Sequence, residues 1–182
     1  MYPSNHQLAL SNFAKHIRRK RGIFAAALGV TMISSTLCAQ APSIFPAPEQ
    51  ARADIAAALR SAAATHKRVI LEFGGGWCAD CLVLDSYFHD ATNRRLLDTN
   101  FVLVHINIGY KDANLALAAR YEIPIDKGVP ALAVLDEHGK LIHSQKDREF
   151  ISMRNMASSS VTTFLNQWKP LRAGCSIMQN NC

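Results

Sequence analysis

VILEFGGGWCADC, residues 69–81, sets an apolar run against three glycines and then presents a tryptophan and two cysteines separated by two residues. Val69 to Phe73 is short, β-branched and aromatic-rich, and Gly74, Gly75 and Gly76 bound it, which predicts a buried strand running into a turn. From Cys78 to Asp85 apolar residues recur at helical spacing, so the order is strand, glycine loop, helix. Cys78 then falls at the helix N-terminus, where unpaired backbone N–H groups and the positive end of the dipole favour a thiolate over a thiol. That sulfur is the expected nucleophile. Cys81, one turn later on the same face, is the expected more buried and less ionised partner, able to resolve a mixed disulfide.

The same two-residue spacing is half of a zinc site. A zinc ribbon needs a second close pair, and Cys175 and Cys182 lie seven apart at the end of the chain, so redox chemistry is the stronger reading and no metal or cofactor is expected. A copper- or zinc-binding module using Cys78 and Cys81 as soft ligands is the alternative, and the absence of Met or His from the motif weighs against it. A non-catalytic interaction protein with its cysteines locked together is the other.

Trp77-Cys78-Ala79-Asp80-Cys81 resembles the WCxxC motif of the thioredoxin superfamily, and Gly128-Val129-Pro130 followed by the apolar run Ala131 to Leu135 resembles its cis-proline loop and following strand. The order of elements from about residue 54 to 168 also matches. The look is nearest to periplasmic or membrane-tethered thioredoxin-like domains such as the C-terminal domain of the disulfide reductase DsbD. The resemblance implies an α/β thioredoxin fold: a central mixed four-stranded sheet flanked by helices, here with an extra N-terminal helix. It implies a thiol–disulfide oxidoreductase whose partners are protein disulfides and a thiol reductant.

It also assigns supporting residues. Glu72, six before Cys78, stands where thioredoxins place a buried acid; a strand covered on both faces would raise its pKa and make it a base for Cys81, the other reading being an acid at a solvated strand edge. A cis bond at Pro130 would bring Val129 beside the sulfurs, where its backbone can hold an extended substrate. Trp77 either packs beside Cys78 and shields it or is a plain core residue. Asp85, one turn after Cys81, matches an acid of the DsbD-like domain but reads first as a solvated helix residue. Asp80 adds negative charge that opposes the helix dipole and argues for a reductant. His105 departs from the family pattern, which has a lysine there. It reads as a core histidine with a backbone partner; a pairing with Glu72 instead would make the site pH-sensitive near neutrality.

The rest of the chain frames these residues. A helix from Pro48 with Ile55, Ala58, Leu59 and Ala62 on one face ends near His66-Lys67-Arg68. The active-site helix is expected to reach about Phe88, with a break at His89 to Asn93 and a short helix from Arg94 to Asp98. Phe101 to Ile108 reads as a central strand parallel to the first, Asp112 as the cap of a helix to Tyr121, Pro124 as the end of anything helical there. Ala131–Leu135 and Leu141–Ser144 make a hairpin, and Val161, Phe164, Leu165 and Trp168 line one face of a final helix over Ser158 to Trp168.

Residues 1–39 read as a secretory signal peptide, or less well as an anchor: five Lys and Arg without an acid, then an apolar stretch to Leu37. Without them the chain carries 15 basic and 14 acidic residues, which removes any nucleic-acid footprint. A membrane is expected as a partner only if the leader stays. Removing it also takes Cys38 and leaves four cysteines for an oxidising compartment, periplasmic or secreted. A linker over 40–47, a thioredoxin-like domain over 48–170 and a tail over 171–182 complete the expected organisation, with Cys175–Cys182 as a structural disulfide or, less readily, a second relay.

Overall fold

The structure, a computed structural model, describes residues 43–171. The expected leader with Cys38, and the tail with Cys175 and Cys182, lie outside the described residues. A 3-10 turn at Pro48–Gln50 opens α1 (Ala51–Thr65), followed by β1 (Arg68–Gly74), α2 (Ala79–Phe88), α3 (Ala91–Asn100), β2 (Phe101–Asn107), α4 (Leu115–Arg120), β3 (Ala131–Leu135), β4 (Leu141–Ser144) and α5 (Ser159–Trp168). The sheet order is β2-β1-β3-β4, with β1 parallel to β2 and antiparallel to β3. This is the expected mixed four-stranded thioredoxin sheet with a helix added in front.

Alternation along β1 divides the core in two. Val69, Leu71 and Phe73 pack with Ile55, Ala58 and Ala62 of α1 and Leu117 of α4. Ile70 packs on the opposite face with Leu84 and Phe88 of α2, Leu97 of α3 and Val161, Phe164 and Leu165 of α5. β1 is thus buried on both faces and along both edges, as its unbroken apolar run requires.

Four expectations are corrected. β2 is an edge strand, because no strand of the described chain pairs with its outer side; its burial is accordingly partial at Val102, Leu103 and His105. α3 begins at Ala91, since the Asp90 carboxylate caps it by accepting from the N–H groups of Thr92 (3.1 Å) and Asn93 (2.8 Å), which shrinks the expected break to two residues. Asp112 does not cap α4; Asn114 stands at the cap, and Asp112 Oδ1 accepts from Tyr110 N at 2.9 Å, closing a turn. Pro124 is followed by a 3-10 turn at Ile125–Lys127, which a proline can precede without losing a hydrogen bond. Within the expected linker, Phe45 is buried in the core and Ile44 packs against it, so apolar contact fixes this part of the segment to the domain.

Asn93 ties three helices together from a fully buried position. Its Nδ2 donates to Tyr87 O (2.9 Å) and Ser158 Oγ (3.1 Å), and its Oδ1 accepts from Thr162 Oγ1 (2.6 Å). Asn93→Leu keeps the volume but leaves these groups unpaired, and should lower unfolding stability by about 2–4 kcal/mol in urea denaturation. A loss under 0.5 kcal/mol would show that the helices α2, α3 and α5 are held by apolar contact alone.

Candidate active site

β1 delivers the chain to the site end-on, and the glycines that follow are required by proximity. A Cβ on Gly74 would lie 2.6 Å from Cys81 Sγ and 2.8 Å from the Phe45 ring, and one on Gly75 would lie 2.6 Å from Trp77 Nε1. The Cys78 N–H donates to Gly75 O at 2.9 Å, which folds the glycine loop back and sets Cys78 as the N-cap of α2. At the cap its Sγ accepts from the Cys81 N–H at 3.2 Å, so a helix-terminal donor is aimed at this sulfur. Cys78 and Cys81 are joined as a disulfide, with their Cα atoms 5.2 Å apart.

Cys81 is fully buried and Cys78 is nearly so. The Val129–Pro130 bond is cis, and Val129 O sits 3.7 Å from Cys78 Sγ. The two segments expected to meet, one from either side of the sheet's end, do meet. Trp77 is 44% exposed and is no core residue. Its Nε1 donates to Gly109 O at 2.6 Å, and its ring stacks on the exposed Tyr110 (centroids 6.1 Å apart, 17° between planes), making an aromatic rim beside the disulfide.

Behind the sulfurs lies a chain of titratable groups. Glu72 is fully buried and projects from the same side of β1 as Gly74, the side Cys81 Sγ occupies. His105 is its partner in the parallel register, with Nδ1 3.0 Å from Glu72 Oε2, within ion-pair distance although off the line of an ideal hydrogen bond. On the other side of the ring, Nε2 lies 3.5 Å from Asp85 Oδ1, and the same oxygen lies 3.3 Å from His89 Nδ1. The expected backbone partner for His105 is therefore replaced by two carboxylates, and Asp85, only 19% exposed, is not a solvated helix residue. Both differ from expectation for one reason: β1 and β2 run in register, which sets Glu72 and His105 side by side under α2.

Burial pushes the Glu72 pKa above the ordinary carboxylate value, with Asp85 adding to the rise and His105 and His89 pulling against it. For His105 burial disfavours the charged ring, but Glu72 and then Asp85 outweigh it and the pKa stands above the ordinary histidine value. Both shifts run in the same direction, so each group of the pair holds its proton to higher pH than it would in water.

Asp80 differs from expectation too. It accepts from the Arg154 backbone N–H at 3.0 Å and lies 3.3 Å from the guanidinium Nη2, contacts that hold its pKa below the ordinary value. Its charge near Cys78 is offset by Arg154. Phe45, Tyr110 and Arg154 were missed in the sequence. Ile44-Phe45 between prolines is an apolar signal that could have been found; Arg154 left none, standing 74 residues from Asp80.

The family model described as thioredoxin-like matches residues 50–137. A disulphide isomerase from Xylella fastidiosa Temecula1 is 33% identical, the alignment covering 68% of this chain and 95% of that one with a TM-score of 0.63. A thioredoxin from Thermus thermophilus (23% identity, 68% and 83% covered, TM-score 0.46) and the reduced C-terminal domain of DsbD from Neisseria meningitidis (21%, 64% and 95%, 0.46) are further solved structures with similarity to it. No curated protein matches the chain. A cap-positioned CxxC pair under a cis-proline loop, on this sheet order and with a third of residues shared along nearly the whole of the Xylella protein, makes the chain a member of the thioredoxin superfamily, a thioredoxin-like domain.

Proposed function

We propose that this thiol–disulfide oxidoreductase is exported, works in the periplasm, and reduces protein disulfides. In the dithiol form Cys78, ionised at the α2 cap, attacks one sulfur of a substrate disulfide lying along Val129-Pro130. The substrate's S–S bond breaks, a Cys78–substrate bond forms, and one substrate thiol leaves. Cys81 gives its proton to Glu72 and attacks Cys78 Sγ. The substrate's second thiol departs and the Cys78–Cys81 disulfide remains, two electrons having passed to the substrate. A thiol reductant then restores the pair. Trp77 and Tyr110 border the docking surface, and Asp85 acts behind Glu72.

The observation that carries this reading is the seating of Cys78 at the helix cap with its sulfur facing Val129 O and a fully buried Cys81 behind it. The reductive direction draws support from Asp85 behind the motif, since Arg154 offsets the charge of Asp80, and burial and His105 reduce that of Glu72. Excess negative charge disfavours a Cys78 thiolate and so favours the disulfide over the dithiol. Export rests on the basic and then apolar leader over 1–39, and the tail over 171–182 is proposed to close as a Cys175–Cys182 disulfide.

The Xylella relative, a disulphide isomerase, favours a second reading, disulfide isomerisation, which starts from the same attack and lets the substrate resolve itself. Two assays separate them. Insulin reduction with dithiothreitol above the Cys78→Ser background supports the reductase. Refolding of scrambled ribonuclease without net reduction supports the isomerase, and failure of both overturns the oxidoreductase reading.

A further inference from the structure

Glu72 poses a problem for turnover. It must accept a proton from Cys81 in each cycle and lose it before the next, yet it is fully buried and its Oε1 has no hydrogen-bond partner. The imidazole beside it offers a route outward. His105 stands on the edge strand and is 17% exposed, lining a groove of about 520 Å³ together with Ser43, Ile44, Pro46 and Asp54. Its two nitrogens face two different carboxylates, Glu72 at 3.0 Å and Asp85 at 3.5 Å, and Asp85 in turn reaches the half-exposed His89.

Building on the proposed role of Glu72, we propose that His105 and Asp85 carry the Glu72 proton to solvent, so that resolution of the mixed disulfide is governed by an imidazole at the sheet edge. Cys81–SH gives its proton to the Glu72 carboxylate, and the resulting thiolate forms the Cys78–Cys81 bond as the Cys78–substrate bond breaks. The electron pair leaves on the substrate sulfur, which takes a proton from water. Neutral His105 then accepts the Glu72 proton at Nδ1 and releases the one on Nε2 to Asp85, from which water or His89 removes it. An imidazole suits this task because it gives up a different proton from the one it takes.

The groups facing His105 are Glu72 from β1, Asp85 and His89 from α2 and its C-cap, and Asp54 of α1 across the groove. The Phe45 ring meets its edge at a centroid distance of 5.2 Å and contributes burial without charge. His105 acts on the reaction only through Glu72 and touches no substrate.

The test uses the full chain carrying Cys38→Ser, Cys175→Ser and Cys182→Ser, reduced and then reacted with 5,5′-dithiobis(2-nitrobenzoate). The first thionitrobenzoate release reports Cys78 and the second reports resolution by Cys81. His105→Gln and Asp85→Asn should slow the second release by about tenfold or more between pH 6 and 8 while changing the first by less than about twofold. Free imidazole should restore the second release in His105→Gly, whose missing ring opens onto the groove, and should not restore it in Glu72→Gln. If Glu72→Gln slows the second release but His105→Gln and Asp85→Asn do not, or if imidazole gives no rescue, the relay is wrong and the base survives. If Glu72→Gln leaves the second release unchanged, the base falls and the relay with it. Should the His105 variants fail to fold, the Asp85→Asn profile alone decides.

Discussion

Cys78→Ser should lower the rate of insulin reduction by at least about a thousandfold, to the dithiothreitol background, because a hydroxyl at the α2 cap remains un-ionised where a thiol ionises. The neighbouring substitution should behave differently. Cys81→Ser keeps the nucleophile and removes the resolving sulfur, so the variant should still attack and then stop, accumulating a covalent adduct one substrate thiol heavier. Mass spectrometry after mixing with a disulfide-containing protein reads both outcomes. Burial sharpens the contrast: Cys81 is sealed from solvent, so external thiols do not readily replace it. If Cys78→Ser keeps a tenth of the wild-type rate, or if Cys81→Ser captures protein through a sulfur other than Cys78, the assignment of nucleophile and resolver fails.

The second large effect is a dependence of stability on pH. Glu72 and His105 both have folded pKa values above their ordinary 4.5 and 6.5. Between each ordinary value and its raised one, the folded protein holds more protons than the unfolded chain, so stability falls as pH rises. The His105 contribution is fully present below pH 6.5 and is lost through its raised folded value; the Glu72 contribution begins to be lost above pH 4.5. The urea midpoint of the oxidised protein should therefore be higher at pH 5.5 than at pH 8.5. Glu72→Gln should flatten that difference. His105→Leu, which leaves the buried Glu72 without its partner, should cost about 3–5 kcal/mol at pH 8.5. A midpoint that rises with pH over this range would mean that Glu72 is ionised in the folded state at low pH, contrary to its burial.

Most of the fold could be read from short-range pattern. The β1 run, the three glycines, the Trp77–Cys81 motif and the Val129-Pro130 step each carry their own stereochemistry, so the sheet and the helix cap follow from a few residues apiece. What the sequence hid depends on who is next to whom. Whether Phe101–Asn107 lies in the middle or at the edge is settled by the absence of another partner strand among the described residues, which no residue of β2 encodes. The position of β2 decides in turn how far His105 reaches toward solvent. Asp90 was legible as a cap in principle, being an aspartate two residues before Thr92, but the apolar period that would mark α3 is weak there. Phe45 was obscured by the prolines beside it, which signal an extended tether and equally suit a strap packed onto a core. The Asp80–Arg154 contact brings together residues far apart in the chain, and only the folded loop at Met153–Asn155 makes it.

That contact bears on anyone who wishes to retune the enzyme. Charge in the dipeptide between the two cysteines shifts the thiolate and with it the redox balance, which makes the dipeptide a natural target for exchange. Here Asp80 is also the anchor of a distant loop through the Arg154 backbone N–H. Grafting a foreign dipeptide would alter the charge beside Cys78 and at the same stroke release residues 153–155 from the motif, so a measured shift in potential would mix two causes. Pairing each graft with a matching change at Arg154 would disentangle them.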